Sequence, residues 1–307
     1  MSAKGAVSAF APATCGNVCV GYDILGLCYE GVGDIVTVTK IPTREVIITS
    51  IVGAPSLSTD PRKNTAGIVL LELLEQEKCD FGFSITIDKG IALGSGMGGS
   101  AASAVAALVA ANAFLDPPLA KQKLLEYSLK GEELASGHGH ADNTAPCLYG
   151  GLVLLANNEV VPIPFPNDIF LLLLHPHLTV HTAQARAVLK KLYTIDQFAT
   201  QGQNLAGFIC ACFKNDKDLL QKSFNDILVE PLRAPLTEGF LACKELAKEY
   251  NVLGYTLSGS GPSQLALCQS EQVAQQLAGE IGAFYATKQI KVDHYIGPIN
   301  QRGATLI

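Results

Sequence analysis

The chain has 307 residues, 48% of them hydrophobic, with a formal net charge of −6 and 22 Lys and Arg that form no basic run. That length carries two domains of ordinary size around a sizeable core, although one large domain is not excluded. The acidic balance argues against a nucleic-acid or anionic-membrane partner, so the expected ligand is small.

The opening residues, MSAKGAVSAF, hold no apolar stretch of signal-peptide length, and the run IFLLLL from Ile169 to Leu174 is too short to span a bilayer. A cytoplasmic protein with no membrane partner is expected. Nine cysteines, at 15, 19, 28, 79, 147, 210, 212, 243 and 268, follow no regular frame, which favours reduced, buried thiols. Cys15 with Cys19, and Cys210 with Cys212, lack a second pair at zinc-finger spacing.

In chain order, AVSAFAP, GDIVTVTKI and EVIITSIVG read as strands. Asn64 to Lys78 sets Ile68, Leu71, Leu74 and Glu75 at helical spacing and reads as an amphipathic helix. DFGFSITIDKG alternates as a strand. A helix from Ser100 to about Leu115 follows, stopped by DPP, and another runs from about Leu119 to Ala135. VVPIPFP, with its three prolines, reads as a crossover or domain junction. Beyond it come strand IFLLLLHP, helix TAQARAVLKKL, two further helices, the strand pair LGYTLSGSGPSQLALC, a helix and a final strand IKVDHYIG. The order is mixed α+β without a regular βαβ series or a repeat.

Between the fourth strand and the next helix lies GSGMGGSAAS, Gly94 to Ser103, with four glycines and three serines ahead of an Ala-rich run. Glycines opening a helix suit a phosphate, because free amides and the helix dipole favour an anion there. Gly94, Gly96 and Gly99 also satisfy G-x-G-x-x-G, but a dinucleotide site needs an acidic residue at the end of the next strand about 20 residues on. Asp116 sits in a stop signal instead, and no Gly-Lys-Ser/Thr completes a Walker loop. A phosphate loop of another design, or a bland Gly/Ser turn that lets a helix pack closely, remains. SGSGPS, Ser258 to Ser263, is open in the same way between a tight turn and a ligand loop. His138 and His140, at i and i+2, have no third nitrogen or thiolate ligand nearby to make a catalytic metal site.

GSGMGGSAAS resembles the phosphate loop of the galactokinase, homoserine kinase, mevalonate kinase and phosphomevalonate kinase superfamily, whose motif reads P-x-x-x-G-L-G-S-S-A-A. APATCGNVCVGYDILGL and LSGSGPS agree with it. NVCVGYDILGL, HADNTAPCLYGG, TAQARAVL, LAGFICACF and EPLR, in that order over nearly the whole chain, are most similar to the homoserine kinase family within it. Two positions depart from the pattern: Gly99 replaces the first serine of the S-S pair, and Ala92 the leading proline.

The resemblance implies an α+β fold in two domains, residues 1–160 ribosomal-protein-S5-domain-2-like and 161–307 ferredoxin-like, with the site in the cleft between them. It implies ATP and Mg²⁺, transfer of the γ-phosphoryl to L-homoserine in threonine biosynthesis, and a homodimer. By the same resemblance the nucleotide meets Gly94, Ser95, Gly96, Met97, Gly98, Gly99, Ser100 and Ala101, with Gly259, Ser260 and Gly261 closing from the second half. Asn64 matches a position near the adenine, and Lys89 is expected to neutralise phosphate charge. Glu132 matches the family's metal carboxylate, and Ser100, the next hydroxyl after Gly99, is the other metal ligand the resemblance implies. Asn17, Asp23, His140, Asp142, Arg186 and Arg233 surround the zwitterionic substrate, whose carboxylate suits the arginine forks. Asn143, Thr182 and Arg186 are the catalytic set, and no general base is assigned. The rivals are another small-molecule kinase of the superfamily, a non-catalytic metabolite-binding relative for which Gly99 speaks, and a nicotinamide-dependent oxidoreductase. Loss of amino-alcohol phosphorylation on Arg186→Ala separates the first from the implied activity, and a ligand-induced melting shift with NAD but not ATP identifies the last.

Overall fold

The computed structural model describes residues 5–307 except 138, 158 and 191. In chain order the elements are β1 (Val7–Gly16), β2 (Leu25–Ile41), β3 (Val46–Val52), α1 (Thr65–Gln76), β4 (Gly82–Asp88), α2 (Gly99–Asn112), α3 (Lys121–Ser136), α4 (Thr144–Tyr149), β5 (Leu152–Ala156) and β6 (Glu159–Ile163). They continue with β7 (Phe170–Pro176), α5 (Thr182–Ala187), α6 (Ile195–Lys214), α7 (Lys217–Ser223), α8 (Glu230–Arg233), α9 (Phe240–Glu249), β8 (Gly254–Leu257), β9 (Gln264–Cys268), α10 (Glu271–Thr287), β10 (Val292–Gly297) and β11 (Thr305–Leu306).

The strands form a seven-stranded sheet, ordered β11-β1-β2-β4-β3 with β5 and β6 branching from β2, and a four-stranded sheet, ordered β10-β7-β9-β8. The α+β class is therefore as expected. The second sheet shows why its strands read as continuous apolar runs. Leu171, Leu173, Leu265 and Leu267 face a core shared with the first sheet, while Leu172, Leu174, Ala266 and Cys268 face a second core built with α9 and α10. Alternation of period two becomes invisible when both faces are buried.

α2 is the Ala-rich helix. Ala101, Ala102, Ala104, Ala106, Ala107, Ala110 and Ala111 are all buried, so the helix is enclosed on every side. It packs on β1 and β2 and against α1 and α3, which fixes its N-terminus near the ends of β1 and β2.

Several elements differ from the sequence reading. In α1 the buried positions are Ala66, Gly67, Val69, Leu70, Leu73 and Leu74, whereas Ile68 and Leu71 are half-buried and Glu75 is exposed. Packing on both α2 and α3 rotates and widens the apolar arc. Asn64 is its N-cap rather than its first turn. The first half of VVPIPFP is strand β6. It pairs only with β5, so Pro162, opposite Val153, costs no inner-ladder hydrogen bond. The helix expected over TAQARAVLKKL ends at Ala187, and among the described residues four α-helices and a short 3-10 turn, not two helices, separate it from β8. β11, which the sequence reading lacks, returns to the first sheet beside β1, pairing Ala9 with Leu306 and Phe10 with Thr305. Residues 161–307 therefore do not all belong to the second sheet. Eight of the nine cysteines are buried, and all are free thiols.

Candidate active site

A cleft of about 460 Å³ opens where the two sheets meet. Its wall is made by the loop before α2, the turn between β1 and β2, the segment before α4, helix α5, Arg233 at the end of α8, and the turn between β8 and β9.

The glycine loop owes its shape to left-handed backbone at Gly94, Gly96 and Gly98 (φ +65°, +77° and +68°). A Cβ on Gly98 would stand 2.1 Å from Thr14 Oγ1, and one on Gly96 2.5 Å from Gly261 O and 2.6 Å from Ser258 O. Glycine is therefore required both by conformation and by space. Ser258 Oγ donates to Gly96 O (2.9 Å), and Ser263 N donates to Ser95 O (3.0 Å). The two loops thus hold each other from opposite sheets. Gly98 is the N-cap of α2 and no side chain caps the first turn, which leaves a helix N-terminus with amides suited to phosphate oxygens.

Of the nucleotide residues expected from sequence, Gly94, Ser95, Gly96, Gly98, Gly99, Ser100, Gly259 and Ser260 line the cleft. Met97, Ala101 and Gly261 are not among the lining residues: the Met97 and Ala101 side chains are buried, and Met97 contributes its carbonyl to Thr14 N (3.0 Å). Asn64 lines the cleft, but its Oδ1 caps Ala66 N (3.0 Å) and its Nδ2 donates to Ser58 O (3.0 Å). It shapes the wall more than it reads a base. Lys89 lines the cleft, but its hydrogen bonds run to protein groups. Its ammonium donates to Asp34, to Gly99 O (2.8 Å) and to Ser103 Oγ (2.9 Å), so its three hydrogens are taken and its charge is matched by a buried carboxylate.

Ser100 Oγ donates to Glu132 Oε1 at 3.0 Å across α2 and α3. Burial, only partly opposed by this hydrogen bond, pushes the Glu132 carboxyl up to about 7. One carboxylate and one hydroxyl are hard oxygen donors, the kind that would hold Mg²⁺. Gly99 supplies no oxygen side chain; a Cβ there would meet Ile91 Cγ2 at 3.1 Å and Lys89 Nζ at 3.4 Å. Among the described residues no group of three or more His, Cys, Asp or Glu gathers around a metal position. The pair of His138 and His140 falls partly outside the described residues, since 138 is not among them.

At the other end of the cleft, Arg186 grips Asp23 with both terminal nitrogens (2.9 and 3.2 Å) and also donates to Tyr22 OH (2.9 Å). Its Nε is buried and bonds to nothing among the described residues. Arg233, buried, donates from Nε to Ala185 O and from Nη1 to Gly259 O, each at 3.1 Å. Burial pushes its guanidinium down from the ordinary value. Asn17 joins the halves, donating from Nδ2 to Gly259 O (3.1 Å) and accepting Asp23 N at Oδ1 (3.0 Å). The turn that carries them is left-handed at Asn17, Val18, Cys19 and Asp23 (φ +70°, +42°, +62° and +60°), strain that aims Asp23 into the cleft wall. His140 Nδ1 lies 3.6 Å from Asp23 Oδ2. Asp142 is buried, and desolvation followed by the charge of Asp23 pushes its carboxyl up to about 7. Thr182 opens α5 one helical turn before Arg186, and both line the cleft.

Thr14 Oγ1 donates to Asn143 Oδ1 at 2.9 Å, which fixes the amide so that Nδ2 is the group left to donate. Thr14, Tyr22 and Asp34 were not singled out from sequence. Thr14 and Tyr22 lie inside the quoted APATCGNVCVGYDILGL, so proximity to Asn17 and Asp23 was the available signal. Asp34 offered none.

Two family descriptions match the chain: the GHMP kinases N terminal domain over residues 64–151 and the GHMP kinases C terminal domain over residues 209–287. A homoserine kinase of Xylella fastidiosa (strain M12) is 43% identical over 300 residues, covering 97% of this chain and 93% of the relative. One from Chloroherpeton thalassium is 36% identical over 316 residues, covering 98% and 99%. The crystal structure of homoserine kinase from Cytophaga hutchinsonii superposes with a TM-score of 0.96 at 38% identity, covering 100% of this chain and 99% of that one.

Proposed function

Because the chain belongs to the GHMP kinase family, we infer that it transfers the γ-phosphoryl group of ATP to the hydroxyl of L-homoserine, giving O-phospho-L-homoserine and ADP for threonine biosynthesis. The observation that carries this reading is one cleft holding an uncapped helix N-terminus behind a glycine loop together with the Arg186–Asp23 pair. The first suits a polyphosphate and the second an amino acid.

In this reading the amides from Gly94 to Ser100 cradle the phosphates. Glu132 and Ser100 hold Mg²⁺, which when bound neutralises charge on the phosphate oxygens. Asp23 takes the substrate ammonium, and Arg186 and Arg233 take its carboxylate. Asn143, oriented by Thr14, donates from Nδ2 toward the reacting oxygens, and Thr182 orients the acceptor hydroxyl. Phosphoryl transfer is mainly positioning and charge stabilisation, so this set works without a strong base. A homodimer and a cytoplasmic location belong to the same reading. The family resemblance supports the first, and light scattering tests it. For the second, no helix among the described residues is long and apolar enough to cross a membrane.

A coupled ADP-release assay with ATP, Mg²⁺ and L-homoserine, run beside mevalonate, galactose and L-threonine, tests the reading. Turnover confined to homoserine is the expected result. Turnover with another acceptor, or none despite ATP binding, overturns it.

A further inference from the structure

α8 is four residues long, Glu230–Arg233, and begins with Glu230-Pro231. A single turn has no stability of its own, since nucleation costs more than one hydrogen bond returns. It nevertheless has to hold Arg233 still at the cleft wall. The means lies in two buried carboxylates for which the proposed reaction has no use. Asp226 Oδ1 accepts Leu228 N and Val229 N (2.9 and 3.1 Å), and its Oδ2 accepts Glu230 N (2.7 Å), so it ties down the approach to the turn. Glu230 reaches into the second sheet instead. Its Oε2 accepts Thr256 Oγ1 on β8 (2.6 Å), and its Oε1 pairs with Lys244 on α9.

Both oxygens of Glu230 are thus anchored on rigid elements, and three residues later the chain presents Arg233. That guanidinium donates to Ala185 O, on the helix that carries Arg186, and to Gly259 O, which also receives Asn17 Nδ2. A small pocket adjoins it, lined by Asn17, Cys19, Asp226, Glu230 and Thr256 among others. Losing the Glu230 anchor frees the single turn that carries Arg233.

We propose that Glu230 is a positioning residue for the substrate carboxylate: bound to Thr256 and Lys244, it fixes α8 so that Arg233 stays aligned with Arg186. This rests on the reading of the cleft as a homoserine site. Glu230 acts through Arg233 and touches no reacting group. Its loss is therefore felt in acceptor affinity, not in nucleotide affinity or in the chemical step.

Steady-state kinetics of Glu230→Gln, Glu230→Ala and Thr256→Val test this, with 2-amino-1,4-butanediol, the carboxylate-free analogue of homoserine, as competitive inhibitor and thermal unfolding measured in parallel. Glu230→Ala is expected to raise the KM for L-homoserine about tenfold, the scale of one hydrogen bond to a charged group. The KM for ATP stays within twofold and kcat within threefold. Glu230→Gln, which still accepts from Thr256, falls between wild type and Ala, and Thr256→Val shifts the same constant in the same direction. Inhibition by the carboxylate-free diol is unchanged in all three. An unmoved homoserine KM overturns the proposal, as do equal rises for homoserine and ATP or an equal weakening of the diol. Where Glu230→Ala does not fold, the Gln and Val variants decide. If wild-type protein turns over no homoserine, the reading of the site falls and this proposal with it; if wild type is active and the variants keep its KM, only the proposal falls.

Discussion

Lys89 donates to Asp34 at the foot of the glycine loop, and neither side chain has appreciable contact with solvent. Asp34 also accepts Gly90 N and Ile91 N (3.1 Å each) just before the loop, while Lys89 holds Gly99 O (2.8 Å) just after it. The pair spans both ends of the loop. Lys89→Met leaves Asp34 charged and buried without its cation, and is expected to cost about 3–5 kcal/mol of stability. Urea unfolding reads this. The double variant Lys89→Met/Asp34→Asn recovers a large part, because the amide still accepts the two backbone bonds. If Lys89→Met keeps wild-type stability and raises only the KM for ATP, the lysine is a phosphate ligand after all.

Gly96→Ala brings a methyl group 2.5 Å from Gly261 O, at a φ of +77°. Backbone on the facing loop cannot turn aside as a side chain does. A loss of about 2–4 kcal/mol is expected, with a rise in the KM for ATP. Gly279→Ala, on the exposed face of α10 with nothing within 4 Å of the new methyl, serves as the control. It is expected to stabilise the protein by about 0.4–1 kcal/mol. Melting curves of the two variants should move in opposite directions.

Asp142 gives the protein a pH dependence of definite sign. Folding raises its carboxyl from 3.8 to about 7, through burial first and the neighbouring Asp23 charge second. The folded chain therefore keeps a proton that the unfolded chain releases near pH 4. The stability this provides is fully present below that pH and is lost as pH rises through about 7. Asp142→Asn removes the titration, so its melting temperature should fall less than that of wild type between pH 6 and 8.5. A residual slope remains from Glu132, which burial shifts in the same direction. Parallel curves for wild type and variant would contradict the assignment.

Glu132→Gln keeps the shape of the pair with Ser100 and removes the charge. With Glu132 as the Mg²⁺ carboxylate, kcat falls by roughly a hundredfold or more and the Mg²⁺ concentration for half-maximal rate rises, since metal stabilisation of phosphoryl charge is worth several kcal/mol. Nucleotide binding without Mg²⁺, followed by fluorescent-analogue titration, is expected to change little. An unaltered Mg²⁺ dependence would move the metal elsewhere.

The glycine loop and α2 were legible because their signals are local: glycines where the backbone must turn left-handed, then alanines where a helix is enclosed. The long-range partners were not. Arg186 and Asp23 were both recognised as groups for a zwitterion, yet their 163-residue separation hid that they close on each other here. The partner of Lys89 is hidden as well, because Asp34 lies 55 residues earlier with nothing between them to mark the pair. Asn64 was expected at a ligand, while its amide serves the helix it precedes. α8 and β11, four and two residues long, are too short for any periodicity to declare them.

β11 carries a consequence for how the molecule is made. The outer edge of β1 pairs with Thr305 and Leu306, and Ile307 N donates to Ser8 O at 3.0 Å. During synthesis, residues 7–163 emerge with six of the first sheet's seven strands but with that edge open until more than 300 residues have been translated. An unpaired edge on a half-finished sheet invites pairing with other nascent chains. The substrate cleft faces the same delay, because its arginines and the Gly259 turn also arrive late. The first strand's outer edge is therefore sealed only after every strand of the second sheet has been made.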